Sequence, residues 1–218
     1  MTMTIAEQSA ATQAAANEHL PPEVSDVFNR AVAQWRETEV PAGVVQVGDA
    51  MTSATLLDVQ GDEVSLADLW ADGPLVVVFY RGGWCPYCNI ALRAYQSDLL
   101  PELDRMGAGL VAISPQSPDQ SLSTREKAEL AFTVLSDPGS AFARAVGITF
   151  EQTDEVVATQ RKLGLDLAEV NAEGSTELPM PTVLVVDTSG TVTFVDVHPD
   201  YTTRPEVPVI VEAVRAII

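Results

Sequence analysis

The chain has 218 residues, enough for one domain with additions and few for two full domains. Its 31 acidic against 12 basic residues leave a formal net charge of −19, which argues against non-specific binding to nucleic acid or anionic lipid because phosphate would be repelled. An apolar share of 46% supports a sizeable core, yet no run reaches the roughly 18 apolar residues of a membrane span, so neither nucleic acid nor membrane is an expected partner.

The N-terminal stretch has no basic n-region and no apolar h-region, so it does not read as a secretory signal and a cytoplasmic location is expected. Residues 1–20 are rich in Ala, Gln, Thr and Glu and read as a helical or frayed lead, broken by Pro21-Pro22. From Glu23 to Glu39 the apolar positions Val24, Val27, Phe28, Ala31, Val32 and Trp35 recur every three or four residues, predicting an amphipathic helix that packs on the domain. Residues 1–43 are therefore read as a helical extension and 44–218 as the domain proper. Ala54–Val59 and Glu63–Ser65, split by Gln60-Gly61-Asp62, predict a β-hairpin. Ser65 as N-cap with Asp68 three residues on predicts a short helix over Leu66–Trp70. Leu75–Tyr80 is a continuous apolar run, suited to a central strand covered on both faces.

Both cysteines follow that run, in Arg81-Gly-Gly-Trp-Cys-Pro-Tyr-Cys88. Helical spacing then runs through Ile90, Leu92, Tyr95, Leu99, Leu100 and Leu103 to about Arg105, with an interruption expected near Pro101. Ala108–Ser114 predicts a second buried strand, Ser121–Leu130 a helix, Thr133–Leu135 a brief strand, and Ser136-Asp137-Pro138 a cap for a helix ending at Val146. Within 148–178, Asp154–Leu163 reads as helix and Asn171–Glu177 as loop; the segment is either a lid over the cysteine turn or a dimer contact, which leaves a homodimer open. Pro181–Asp187 and Thr191–Val197 predict a second hairpin across Ser189-Gly190, and Pro205–Ile218 a closing amphipathic helix. Strands alternating with helices, ending in a hairpin and a helix, predict an α/β sandwich: a central mixed β-sheet flanked by helices.

A strand, a glycine pair and a helix start carrying two thiols form a device for holding a thiolate, since unpaired N–H groups and the helix dipole favour its charge. Pro86 suits the first helical position, where its missing N–H is no loss. Cys88 lies one turn after Cys85, about 5–6 Å away at Cα and within disulfide range. Arg81 is a permanent cation on the approach, and Gly82 and Gly83 allow close backbone approach. A zinc site needs about four ligands, and His19 and His198 are far apart, so no metal is expected. Covalent haem would need His where Asn89 stands, and no other cofactor is implied. Redox chemistry takes most of the weight, with two inert buried cysteines as the bland reading.

The stretch Phe79-Tyr-Arg-Gly-Gly-Trp-Cys-Pro-Tyr-Cys-Asn89 resembles the signature of peroxiredoxin-like proteins of the AhpC/TSA group. Val111-Ala-Ile-Ser-Pro-Gln116, Leu135-Ser-Asp-Pro138, Met180-Pro181-Thr182 and Asp187-Thr-Ser-Gly190 extend the resemblance over roughly Val44 to Ile218. It implies a thioredoxin-like fold and a thiol-dependent peroxidase. Cys85 would attack hydrogen peroxide or an organic hydroperoxide, Cys88 would resolve the product as an intramolecular disulfide, and an external dithiol such as thioredoxin or glutaredoxin would recycle it. It also implies a cis proline at Pro181, setting the Met180 backbone beside the sulfur of Cys85, with Trp84, Gly82 and Gly83 completing the turn. Typical family members carry Thr or Ser three residues before the attacking cysteine and Pro seven before it; Gly82 and Val78 stand there. The usual second arginine is also missing, with Arg81 and Arg204 as substitutes. Because Trp84-Cys-Pro-Tyr-Cys88 also resembles thioredoxins and glutaredoxins, a thiol-disulfide oxidoreductase is the rival, and a non-enzymatic redox-sensing module a third reading.

Overall fold

The structure is a computed structural model, and it describes residues 3–218. The extension forms two helices, α1 (Ile5–His19) and α2 (Pro22–Arg36). A capping box starts α1: Thr4 Oγ1 accepts from Glu7 N–H, and the Glu7 carboxylate accepts from Thr4 N–H. Next come the hairpin β1 (Thr55–Leu57) and β2 (Glu63–Ser65), then α3 (Leu66–Ala71) and β3 (Leu75–Phe79). Ser65 makes no side-chain cap; the Leu66 N–H is taken instead by the Ala54 carbonyl at 3.0 Å.

The long helical stretch after the cysteines is continuous. It runs as α4 (Pro86–Ala94), a π turn at Tyr95–Leu99 and α5 (Leu100–Met106). Pro101 does not interrupt it, because the π turn lies just before the proline, where its missing N–H would otherwise leave a gap. β4 (Gly109–Ser114), α6 (Pro118–Lys127), β5 (Thr133–Ser136) and α7 (Ala141–Val146) follow. The hard-to-read middle segment holds β6 (Thr149–Phe150), α8 (Asp154–Lys162), α9 (Leu167–Val170) and β7 (Leu178–Pro179), with β6 and β7 paired as a small ribbon. β8 (Thr182–Val186), β9 (Val192–Val197) and α10 (Val207–Arg215) close the chain.

Seven strands make one sheet in the order β2-β1-β5-β4-β3-β8-β9. β3 runs parallel to β4 and antiparallel to β8, so both its edges are paired and every residue is buried. That is why its sequence shows no polar alternation. Side chains still alternate between faces: Val76 and Val78 join a core layer with Leu92, Tyr95, Leu99 and Ile210, whereas Leu75, Val77 and Phe79 join one with Leu66, Phe142, Val146 and Leu184. Both cysteines and Ile5 of α1 belong to the first layer. At about 1.5–3 kcal/mol per fully buried large apolar side chain, these two layers hold the sheet that carries the cysteine turn. Among the described residues no helix is long and apolar enough to cross a membrane.

Candidate active site

The Tyr80 N–H is still held by the Ile113 carbonyl at 3.0 Å, and the chain turns immediately afterwards. Gly82 has a φ of +146°, and a Cβ there would lie 2.4 Å from Nε1 of Trp84. A threonine or serine therefore has no room and the wrong backbone, which explains in physical terms why the family's usual hydroxyl is missing at this position. At Gly83 a Cβ would fall 2.1 Å from Thr124 Oγ1.

Three hydrogen bonds then fix the turn. Cys85 N–H closes on the Gly82 carbonyl at 3.1 Å, Gly83 N–H donates to Gln116 Oε1 at 2.7 Å, and Asn89 Nδ2 donates to the Gly83 carbonyl at 2.8 Å. Cys85 is the N-cap of α4 and Pro86 its first residue, as the sequence predicts. Asn89, the last residue of the stretch that carries the family resemblance, braces the turn from the helix side.

Both cysteines are free thiols and both are buried, at 1% and 0% exposure for Cys85 and Cys88. Arg204, itself 7% exposed, reaches in from the segment after β9 and sets Nη2 3.0 Å from Cys88 Sγ, while its Nη1 donates to the Tyr201 carbonyl at 2.9 Å. Burial pushes the Cys88 thiol up. The Cys85 thiol donating to it, the Arg204 and Arg81 charges and an Arg81 main-chain N–H together outweigh burial and bring it down to about 5. Burial pushes the Cys85 thiol up, its position as hydrogen-bond donor to Cys88 adds to this, and the two arginines offset only part. The pair thus behaves as one acid that readily gives up a first proton and holds the second.

Arg81 lies on the Cys85 side. It is 3% exposed, stacked 4.1 Å from the ring centre of Tyr201 and 5.0 Å from that of Trp84, and its Nη2 donates to Gln152 Oε1 at 3.0 Å. Gln152 in turn is paired with Gln160 of α8 at 3.0 Å. Arg81 Nε and Trp84 Nε1 are buried donors with no partner.

A cavity of about 460 Å³ opens over this group, lined by Arg81, Trp84, Cys85, Pro86 and Tyr87 on one side. The other side is built by α1, α2 and the end of α8 through Leu165. Residues 148–178 thus wall the site instead of leaving it open, and Cys85, not Cys88, meets the cavity. The sequence offers a lid over the cysteine turn as one reading of 148–178, but it carries no sign that α1 and α2 share in a chamber whose lining comes from five separate stretches.

The expected cis geometry at Pro181 needs correction. No described peptide bond is cis, so Pro181 is trans. Its carbonyl accepts the His198 N–H at 2.8 Å as β8 begins, and the Met180 N–H donates to Ile148 at 2.7 Å, so extended trans backbone meets every local hydrogen bond. The Met180 side chain packs in the core layer of Val77 and Leu184, the opposite layer from the cysteines. His198 is engaged elsewhere, 2.6 Å from Thr203 Oγ1 and 3.1 Å from Asp196 Oδ1. Among the described residues, no three of His, Cys, Asp and Glu are grouped to hold a metal ion.

The sequence profile of the AhpC/TSA family matches residues 47–195. The chain is 32% identical over 108 residues to the chloroplastic thioredoxin-like protein AAED1 of Arabidopsis thaliana, covering 47% of this chain and 43% of that protein. It is 33% identical over 108 residues to the putative peroxiredoxin bcp of Haemophilus influenzae, covering 50% of this chain and 68% of the relative. The similarity thus spans about half of this chain and from 43% to 68% of these two relatives. Among solved structures, peroxidoxin BcpB of Mycobacterium tuberculosis superposes with a TM-score of 0.63 at 22% identity, over 80% of this chain and 99% of that one. A peroxiredoxin-like protein of Aquifex aeolicus gives 0.64 at 17% identity, over 82% and 91%. These matches show the peroxiredoxin form of the thioredoxin-like fold.

Proposed function

Because the chain belongs to the AhpC/TSA family, we propose that it is a thiol-dependent peroxidase in which Cys85 reduces a hydroperoxide and Cys88 resolves the product. The observation that carries this reading is the placement of Cys85 at the foot of a cavity, between Arg81 and a second thiol that Arg204 holds acidic. In the dithiol the first negative charge rests on Cys88, and transfer of the Cys85 proton to Cys88 moves it to Cys85. That thiolate attacks the outer oxygen of the hydroperoxide, the S–O bond forms, the O–O bond breaks, and the alkoxide or hydroxide leaves with the proton now on Cys88. Cys88, again a thiolate, attacks the sulfenic sulfur; hydroxide departs and takes a proton from solvent. The resulting disulfide is opened by an external dithiol of the thioredoxin or glutaredoxin kind. Arg81, with Trp84, offers donors to the peroxide oxygens in place of the hydroxyl that Gly82 cannot supply. In this reading residues 44–218 are the catalytic domain, 1–43 an extension that completes its chamber, and the compartment is the cytoplasm.

The local Trp-Cys-Pro-Tyr-Cys turn, with no hydroxyl at Gly82, favours a thiol-disulfide oxidoreductase as the second reading. Stopped-flow mixing of the reduced protein with hydroperoxides, followed by tryptophan fluorescence, separates the two. Oxidation of Cys85 should outrun that of free cysteine thiolate by several orders of magnitude, and Cys88→Ser should leave a sulfenic acid that a dione reagent traps. Oxidation no faster than free thiolate, with rapid exchange against a small disulfide, would transfer the assignment to the oxidoreductase.

A further inference from the structure

The chamber is far too large for hydrogen peroxide. A water molecule takes about 30 Å³ of liquid and hydrogen peroxide only a little more, against about 460 Å³ here. A cavity of this volume falls among sites for small organic ligands, roughly 300–1,000 Å³. Its lining is apolar with amides at intervals: Leu20, Phe28 and Val32 from the extension share it with Trp84, Leu163 and Leu165. In a chain with 31 acidic residues, none of those described lines the cavity, and among the described residues Arg81 is its single charged lining residue.

The far wall is α1 and α2, which precede the family-matched stretch 47–195. It is fastened to the domain at separate points. The Glu206 carboxylate accepts the N–H groups of Ile5 and Ala6 at 3.1 and 2.9 Å, Ile5 is buried in the core layer of the cysteines, and Arg36 pairs with Asp200 at 2.8 Å, one residue before the Tyr201 that stacks on Arg81. The chamber is therefore built by residues that the family frame does not contain.

We infer that α1 and α2 are the substrate-selecting wall of this site, and that they fit it to hydroperoxides with a bulky, uncharged, apolar body in preference to hydrogen peroxide. The inference rests on the peroxidase reading and says which substrate class that site takes. The apolar body lies against Leu20, Phe28 and Val32. The O–O group points to Cys85, which shares the cavity lining with Arg81 and Trp84. The product is the corresponding alcohol, with the body unchanged. A carboxylate or phosphate on the body would find no lysine and only one, already stacked, arginine in the lining.

The test compares second-order rate constants for cumene hydroperoxide and hydrogen peroxide in the wild type, in Ala16→Phe, which fills the chamber from α1, and in Leu163→Trp, which narrows its rim at an exposed position and leaves the core untouched. The wild type should favour cumene hydroperoxide by about tenfold or more, and each variant should lower that ratio by about tenfold, the range a pocket achieves by fitting or excluding a few apolar carbons. A wild type that favours hydrogen peroxide, or a ratio that neither variant moves, overturns the inference. If no hydroperoxide oxidises Cys85, the peroxidase reading itself falls, and cumyl alcohol binding, read by tryptophan fluorescence, decides on the wall. Saturable binding that Ala16→Phe weakens keeps the chamber as a neutral apolar site, and no binding removes it as well.

Discussion

Two arginines divide their effect between two sulfurs. Arg204 touches Cys88 from the protein interior, and Arg81 stands on the cavity side with Cys85. A depressed Cys88 pKa means that the fold favours the thiolate. The sign follows: the ion pair stabilises the reduced chain fully above the ordinary thiol value of 9.0, and that contribution fades as pH falls towards about 5. Titration of the reduced protein by thiolate ultraviolet absorbance should show one thiolate already present at neutral pH, with a first midpoint near the acid end of that window. Arg204→Met should raise the midpoint by more than a unit and flatten the pH dependence of the urea midpoint between those limits. A midpoint unmoved by the substitution would mean that Arg204 is not what lowers it. The sequence offers this arginine only as a stand-in for the family's missing second arginine; its reach to the Cys88 sulfur, across a separation of 116 residues, shows only in the structure.

At the scale of elements, α1 shows how a weak helix is made part of a site. Its sequence is mostly Ala and polar residues, and only Ile5 and Ser9 are buried, so little apolar burial holds it. Its N-terminal N–H groups are capped by a residue of the last strand-to-helix connection, Glu206. Glu206→Ala should cost about 0.5–2 kcal/mol in urea unfolding, the range for loss of a helix N-cap. Hydrogen exchange should rise across residues 5–19 and stay unchanged in β3 and β4; equal loosening of the sheet would show that the cap supports more than α1. The same element marks a limit of sequence reading. β3 was legible because two paired edges and two covered faces leave no polar position, and α2 because its spacing is regular. α1 could be read only as helical or frayed, for its burial comes from a distant carboxylate. β6 and β7 pair through two residues each, too few for any periodicity, and a proline before a strand fits trans geometry as well as cis. The thiol turn itself was legible; its roof was not.

For the whole molecule, the sheet order shows which parts depend on long-range closure. The hairpin of β1 and β2 closes locally, but α1 reaches its cap at Glu206 across 201 residues. Contacts of such separation carry the largest loop-closure cost and form late when nothing local holds them beforehand. The chamber should then be assembled after the sheet that carries Cys85. In refolding from denaturant, a pulse of thiol reagent should still label Cys85 after the far-ultraviolet signal of the sheet has returned, and lose access in a later phase. Loss of labelling in step with the sheet would mean that the wall docks as the core forms. A chain that folds in that order shelters its cavity-side thiol last, and, caught between sheet and roof, it presents a bare dithiol to whatever oxidant or disulfide is near.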